Sequence, residues 1–114
     1  MYSKLLVGLF LLCSPAFAFA SDLSLEVTCA TCRVNTLFDI KATTTDDEGD
    51  PLLGEILFYR IADGGVVTDL AETSATNSSG ITHIYYTPTT VGEALVNVEM
   101  EDGTAQTIKM NIVP

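Results

Sequence analysis

Apolar side chains recur at every second position through most of this chain. A period of two is the mark of strands with one face buried, because successive side chains of a strand point to opposite sides. In "LSLEVT", Leu23, Leu25 and Val27 alternate with Ser24, Glu26 and Thr28. "LFDIKAT" sets Phe38, Ile40 and Ala42 against Asp39 and Lys41. "ITHIYYT" sets Thr82, Ile84 and Tyr86 against Ile81, His83 and Tyr85. "ALVNVEM" lines up Ala94, Val96, Val98 and Met100, and "TIKMNIV" does the same with Ile108, Met110 and Ile112. "EILFYRI" is apolar on both faces, as in a central strand, and the weaker "VVTDLAETS" supplies an edge strand. No stretch carries a helical stripe. The breaks are turn chemistry: "DEGDP", "ADGG", "TNSSG", "TPTTVG" and "EDG". The pattern predicts an all-β chain, a two-sheet β-sandwich of about seven antiparallel strands.

The first twenty residues, "MYSKLLVGLFLLCSPAFAFA", follow a different logic. One lysine, a short apolar run and small residues before Ser21 make the three-part layout of a secretory signal, cut after Ala20. The run is far shorter than the ~20 residues of a spanning helix. Bulky Leu12 before Cys13 argues against a lipoprotein site. Residues 1–20 are therefore expected to be a signal peptide and residues 21–114 one domain, with no membrane span after cleavage. The exported part carries all fifteen acids against four remaining basic residues, a formal charge of −11. Such a surface repels phosphate backbones and anionic lipid, which excludes nucleic acid as a natural partner. Export predicts a secreted, periplasmic or cell-surface location.

"TCATCR" retains two cysteines, Cys29 and Cys32, in an oxidising compartment, where a structural disulfide is expected to pin the register of the first two strands. The two-residue spacing is also that of thiol–disulfide enzymes, a periplasmic redox role being the alternative; it requires a lowered thiol pKa, commonly from a helix N-terminus. An intermolecular link is the third option. Arg33 stands where haem attachment would need a histidine.

"DDEGDPLLG" raises a calcium reading, with Asp46, Asp47 and Asp50 as candidate ligands. Adjacent side chains at a strand end diverge, and the spacing does not fit an EF-hand, so the stretch reads first as a turn. Gly49 then supplies a positive φ and Pro51 the exit angle. No cofactor is expected, with calcium the one ion considered. His83 lacks a positioned nucleophile and falls on an outer face; no catalytic residue is assigned, and the chain is not expected to be an enzyme. "NSS" at Asn77 reads as a turn.

"TTDDEGDPLLGEILFY" resembles the T-D-x-x-G-x-P-[VL]-x-G signature of bacterial immunoglobulin-like domains of the Big or invasin type, with Asp46, Gly49, Pro51, Leu52 and Gly54 in order. "ATNSSGITHIYYTPTTVGEALVNV" is similar to that family's second signature through Thr76, Gly80, Ile84, Tyr86, Thr87, Pro88 and Gly92, with Asn77 in the usual aspartate position. Filamin-type repeats share the Y-x-P-x-x-x-G part. The resemblance implies that the two-sheet β-sandwich of about seven antiparallel strands is immunoglobulin-like, and that it is a non-catalytic binding or structural module belonging or accessory to an adhesin-like surface assembly. The "CATC" segment lies outside the family pattern. With one such unit and no sorting motif, the chain is expected to join an assembly anchored by other means.

If the inward faces are as assigned, Ile81 and Tyr85 look outward on one sheet and Leu95 on the other. Exposed apolar area of this kind marks a candidate partner face. The expected partner is a protein or glycan at the cell envelope.

Overall fold

The computed structural model describes residues 21–114 apart from Ala30; the expected signal peptide, with Cys13, lies outside the described residues. They contain nine strands: β1 (Asp22–Val27), β2 (Thr31–Arg33), β3 (Phe38–Thr45), β4 (Phe58–Asp63), β5 (Val66–Val67), β6 (Ala71–Glu72), β7 (Ile81–Tyr86), β8 (Gly92–Glu99) and β9 (Ala105–Val113). One sheet runs β1-β3-β7; the other runs β2-β9-β8-β4-β5, with β6 also on β4. The described residues form an all-β, immunoglobulin-like sandwich.

The period-two residues meet between the sheets. Phe38, Ile40, Ala42 and Ile84 come from one sheet, and Ile61, Ala94, Val96, Val98, Met110 and Ile112 from the other; all are buried. Leu25 and Val27 are half-buried against the same core, as suits the sheet-edge strand β1. At ~25 cal/mol per Å² this layer is the main stabilising term.

The strand count exceeds seven for two physical reasons. The edge segment divides into β5 and β6, because between them a threonine hydroxyl accepts a β4 amide in place of a backbone carbonyl. The Ile61 amide donates to Thr68 Oγ1 at 3.0 Å, while the Thr68 amide still donates to Ile61 O at 2.8 Å. The second reason is β2, which runs parallel to β9 with Thr31, Cys32 and Arg33 opposite Asn111, Ile112 and Val113. The sequence pattern has no period long enough to reveal it. β2 also corrects the expected role of the disulfide. β1 pairs directly with β3, Leu23 facing Thr44 and Val27 facing Ile40, so the Cys29–Cys32 bridge closes no hairpin between those strands. It sits where the chain leaves the three-stranded sheet for the edge of the other.

At one end of the sandwich the two signature loops grip each other. Asp46 Oδ1 accepts the amides of Glu48 and Asp50, both at 2.9 Å. Asn77 Oδ1 accepts those of Ser79 and Ile81 at 2.9 and 3.1 Å, the same device at the same spacing. Thr76 joins the loops: its hydroxyl donates to Leu52 O at 2.6 Å and accepts the Glu55 amide at 2.9 Å.

The other end is closed by Asp63, at the end of β4 and buried. Its Oδ2 accepts the Tyr86 hydroxyl at 2.8 Å, the Thr89 amide at 2.9 Å and the Thr89 hydroxyl at 3.0 Å. Tyr86 belongs to the opposite sheet, so this carboxylate ties the sheets together.

Candidate functional site

The outer face of the three-stranded sheet carries most of the surface chemistry. Register places Glu26 opposite Lys41, and Lys41 opposite His83, in one row across β1, β3 and β7. The next row sets Asp39 opposite Tyr85. Lys41 Nζ lies 3.3 Å from Glu26 Oε1, and His83 Nδ1 lies 2.8 Å from Asp39 Oδ1. The Tyr85 ring stacks on the His83 ring with centroids 5.8 Å apart and planes 13° from parallel. His83 is thus held from two directions. A hollow of about 370 Å³ opens here, lined by Glu26, Val27, Thr28, Asp39, Lys41 and His83.

Of the predicted contact residues, Tyr85 is 58 % exposed on this face, and Ile81, two positions beyond His83, is half-buried. Leu95 is 36 % exposed on the other sheet's outer side. There it shares a second hollow of about 370 Å³ with Arg60, Ala62, Val67, Asn97 and Thr107. The three residues therefore belong to two opposite surfaces. Glu26, Asp39 and Lys41 were not singled out from sequence. Their signal is the cross-strand register, and that requires knowing that β1 and β7 flank β3.

Asp46, Asp47 and Asp50 sit on the exposed loop, where Asp46 Oδ1 is already engaged by two amides. Among the described residues no group of three or more His, Cys, Asp or Glu side chains is placed to hold a metal ion. Cys29 and Cys32 are disulfide-bonded, Cys32 buried and Cys29 half-buried. The described residues contain no helix to lower a thiol pKa beside them. Nor is any helix among them long and apolar enough to cross a membrane.

Two carboxylates are perturbed, both away from this face. Burial pushes the Asp63 pKa up, but the hydrogen bonds from Thr89, Tyr86 and the Thr90 backbone outweigh it and hold the group below its ordinary value. Asp102, in the turn between β8 and β9, is lowered first by the Ser21 hydroxyl and then by the Thr104 amide. Tyr86 is raised by burial and by the neighbouring Asp63 carboxylate.

No family model matches the chain, and no curated protein matches it by sequence. Solved structures do match in fold. A CARDB domain of the PF1109 protein from Pyrococcus furiosus, solved in complex with di-metal ions, superposes with a TM-score of 0.56 at 18 % identity, covering 87 % of this chain and 98 % of that one. Alkylpurine DNA glycosylase AlkC from Pseudomonas fluorescens, bound to DNA containing an abasic-site analogue, gives 0.59 at 12 % identity, covering 82 % of this chain and 30 % of that one. Domains 4 and 5 of the S-layer protein SbsC give 0.53 at 9 %, covering 87 % of this chain and 55 % of that one. At these identities the likeness concerns the fold alone.

Proposed function

We propose that this chain is an exported, non-catalytic immunoglobulin-like module. Its outer sheet faces meet a protein or glycan partner within a cell-envelope or surface assembly of adhesin-like kind. The observation that carries this reading is the outer face of the three-stranded sheet, where Tyr85 stands exposed on a rigid backbone beside fixed polar side chains. The sandwich fixes that face in shape, and little ordering entropy is lost on contact. The three-part layout of residues 1–20 supports export. The resemblance of the Asp46 and Asn77 loops to Big-type signatures also supports the reading.

The test is cross-linking in the producing cell. The wild-type chain should capture a defined envelope component, and the double variant Ile81→Ala, Tyr85→Ala should lose most of that capture. Undiminished capture by the variant would reject this face.

A further inference from the structure

Cross-strand ion pairs on an outer sheet face are common and individually weak, and Glu26–Lys41 alone would call for no comment. What stands out is the treatment of His83. An exposed imidazole gains little from being held, yet Asp39 fixes its Nδ1 at 2.8 Å and Tyr85 backs its ring at 5.8 Å. Its Nε2 is left without a protein partner among the described residues. Preorganisation of a surface hydrogen-bonding group serves a ligand better than it serves the fold.

The two pairs offer related chemistry. Each carboxylate accepts from a nitrogen, at 3.3 Å in Glu26–Lys41 and 2.8 Å in Asp39–His83, and with the Nδ1–H of His83 spent on Asp39 the Nε2 of the neutral ring is an acceptor. Each carboxylate keeps an oxygen outside the pair, and Lys41 keeps two N–H bonds. A vicinal diol is the complement of such a pair. One hydroxyl donates to the carboxylate while its neighbour accepts from the nitrogen, and the two oxygens lie about one hydrogen-bond length apart. One such diol fits Glu26–Lys41, and further hydroxyls donate to the free oxygen of Asp39 and to the His83 Nε2. The row Glu26–Lys41–His83 spans two inter-strand spacings of ~4.8 Å, roughly the reach of a disaccharide. The hollow of about 370 Å³ falls in the size range of small-ligand sites, and Val27 gives its wall an apolar part for the C–H face of a sugar ring. Charge narrows the choice further. Both pairs contain a carboxylate, and the protein carries −10 overall, which disfavours uronic or phosphorylated sugars.

We infer that the hollow between β1, β3 and β7 is a binding site for a neutral, hydroxyl-rich saccharide. Glu26, Asp39 and the His83 Nε2 accept from its hydroxyls, Lys41 donates to them, and Tyr85 acts as a positioning residue behind His83. A saccharide here presupposes the contact role proposed for this face and specifies its chemistry.

The test is an NMR titration of the 15N-labelled protein with cellobiose, maltose and N,N′-diacetylchitobiose to about 10 mM, ten times a Kd of about 1 mM. At least one should shift amides within 26–28, 39–41 and 83–85. Lys41→Ala should weaken binding about tenfold or more, the loss of a charge-assisted hydrogen bond. Tyr85→Ala should weaken it while leaving the rest of the spectrum unchanged, and Leu95→Ala, on the opposite face, should leave it intact. Shifts that map elsewhere, or affinities that Lys41→Ala leaves unchanged, would overturn the assignment. No response to any neutral sugar would overturn it too. If a photo-cross-linker at position 85 then captured a protein in cells, the saccharide is wrong and the contact role stands. If it captured nothing, both fail.

Discussion

Asp63 shows how much a single side chain can hold. Its carboxylate is buried where the sheets meet, Oδ2 accepts three hydrogen bonds, and Oδ1 has no well-aligned partner. Desolvation alone would favour the neutral acid, but the donors from Tyr86 and the Thr89–Thr90 backbone favour the anion more, and the folded-state pKa lies below the ordinary one. The sign for stability follows. With the folded value lower, the unfolded chain binds the proton more readily, so the anion's contribution is fully present above the unfolded pKa of ~3.9 and is lost as pH falls through the folded value. Asp63→Asn keeps the shape and removes the charge. It should destabilise the protein at pH 7 by about 1.5–3 kcal/mol, the range for hydrogen bonds to a charged group. The difference between wild type and variant should shrink toward zero at a pH well below ~3.9, where the wild type is itself protonated. Urea unfolding of both proteins across this range measures it; a gap of constant size would show that Asp63 holds the sheets by shape alone.

Among the elements, the long strands were legible in the sequence and the joints were not. β1, β3, β7, β8 and β9 follow from alternation, because one face of each is buried and the pattern reports that directly. The glycines of the two loops mark the limit. Gly49 and Gly80 occupy matching signature positions with φ of +86° and +76°. Space around Gly49 is open, whereas a side chain at Gly80 would run into the Thr44 carbonyl, a distinction that only the packing of one loop on the other creates. β2 was hidden for a similar reason: three residues joined in parallel to the last strand leave no periodic trace. That pairing gives the disulfide its task. A bridge across so short a ring stabilises by about 2 kcal/mol on the chain-entropy estimate. Because Cys32 lies in β2, reduction should loosen the contact of Thr31–Arg33 with Asn111–Val113 while β1 and β3 stay paired. Hydrogen exchange after reduction should quicken first at the end of β9. Equal quickening in β1 would mean that the bridge supports the three-stranded sheet as well.

For the molecule as a whole, charge is the term the strand pattern leaves out. The net charge and its sign are plain from composition, and so was the outward direction of Tyr85. The convergence of Glu26, Asp39, Lys41 and His83 on one hollow was not, because it arises from the order β1-β3-β7 and no local window contains it. The described residues set fifteen acids against four lysines and arginines, with two carboxylate–lysine ion pairs among them. Repulsion among the remaining carboxylates opposes the compact state, and salt shortens its range from ~30 Å at 0.01 M to ~10 Å at 0.1 M. Raising sodium chloride over that interval should therefore raise Tm. A gain of about 1 kcal/mol corresponds to about 4–8 °C for a domain of this size. Divalent ions separate screening from a specific site. Asp46 already serves two backbone amides, and a loop of solvated acids should respond alike to calcium and magnesium chloride at equal concentration. Magnesium demands near-octahedral geometry and a smaller cage, so a built calcium site would distinguish the two ions. Matched rises in Tm would mark the "DDEGDP" loop as a turn that tolerates its charge. A gain confined to calcium and abolished by Asp47→Ala would make the loop a metal site.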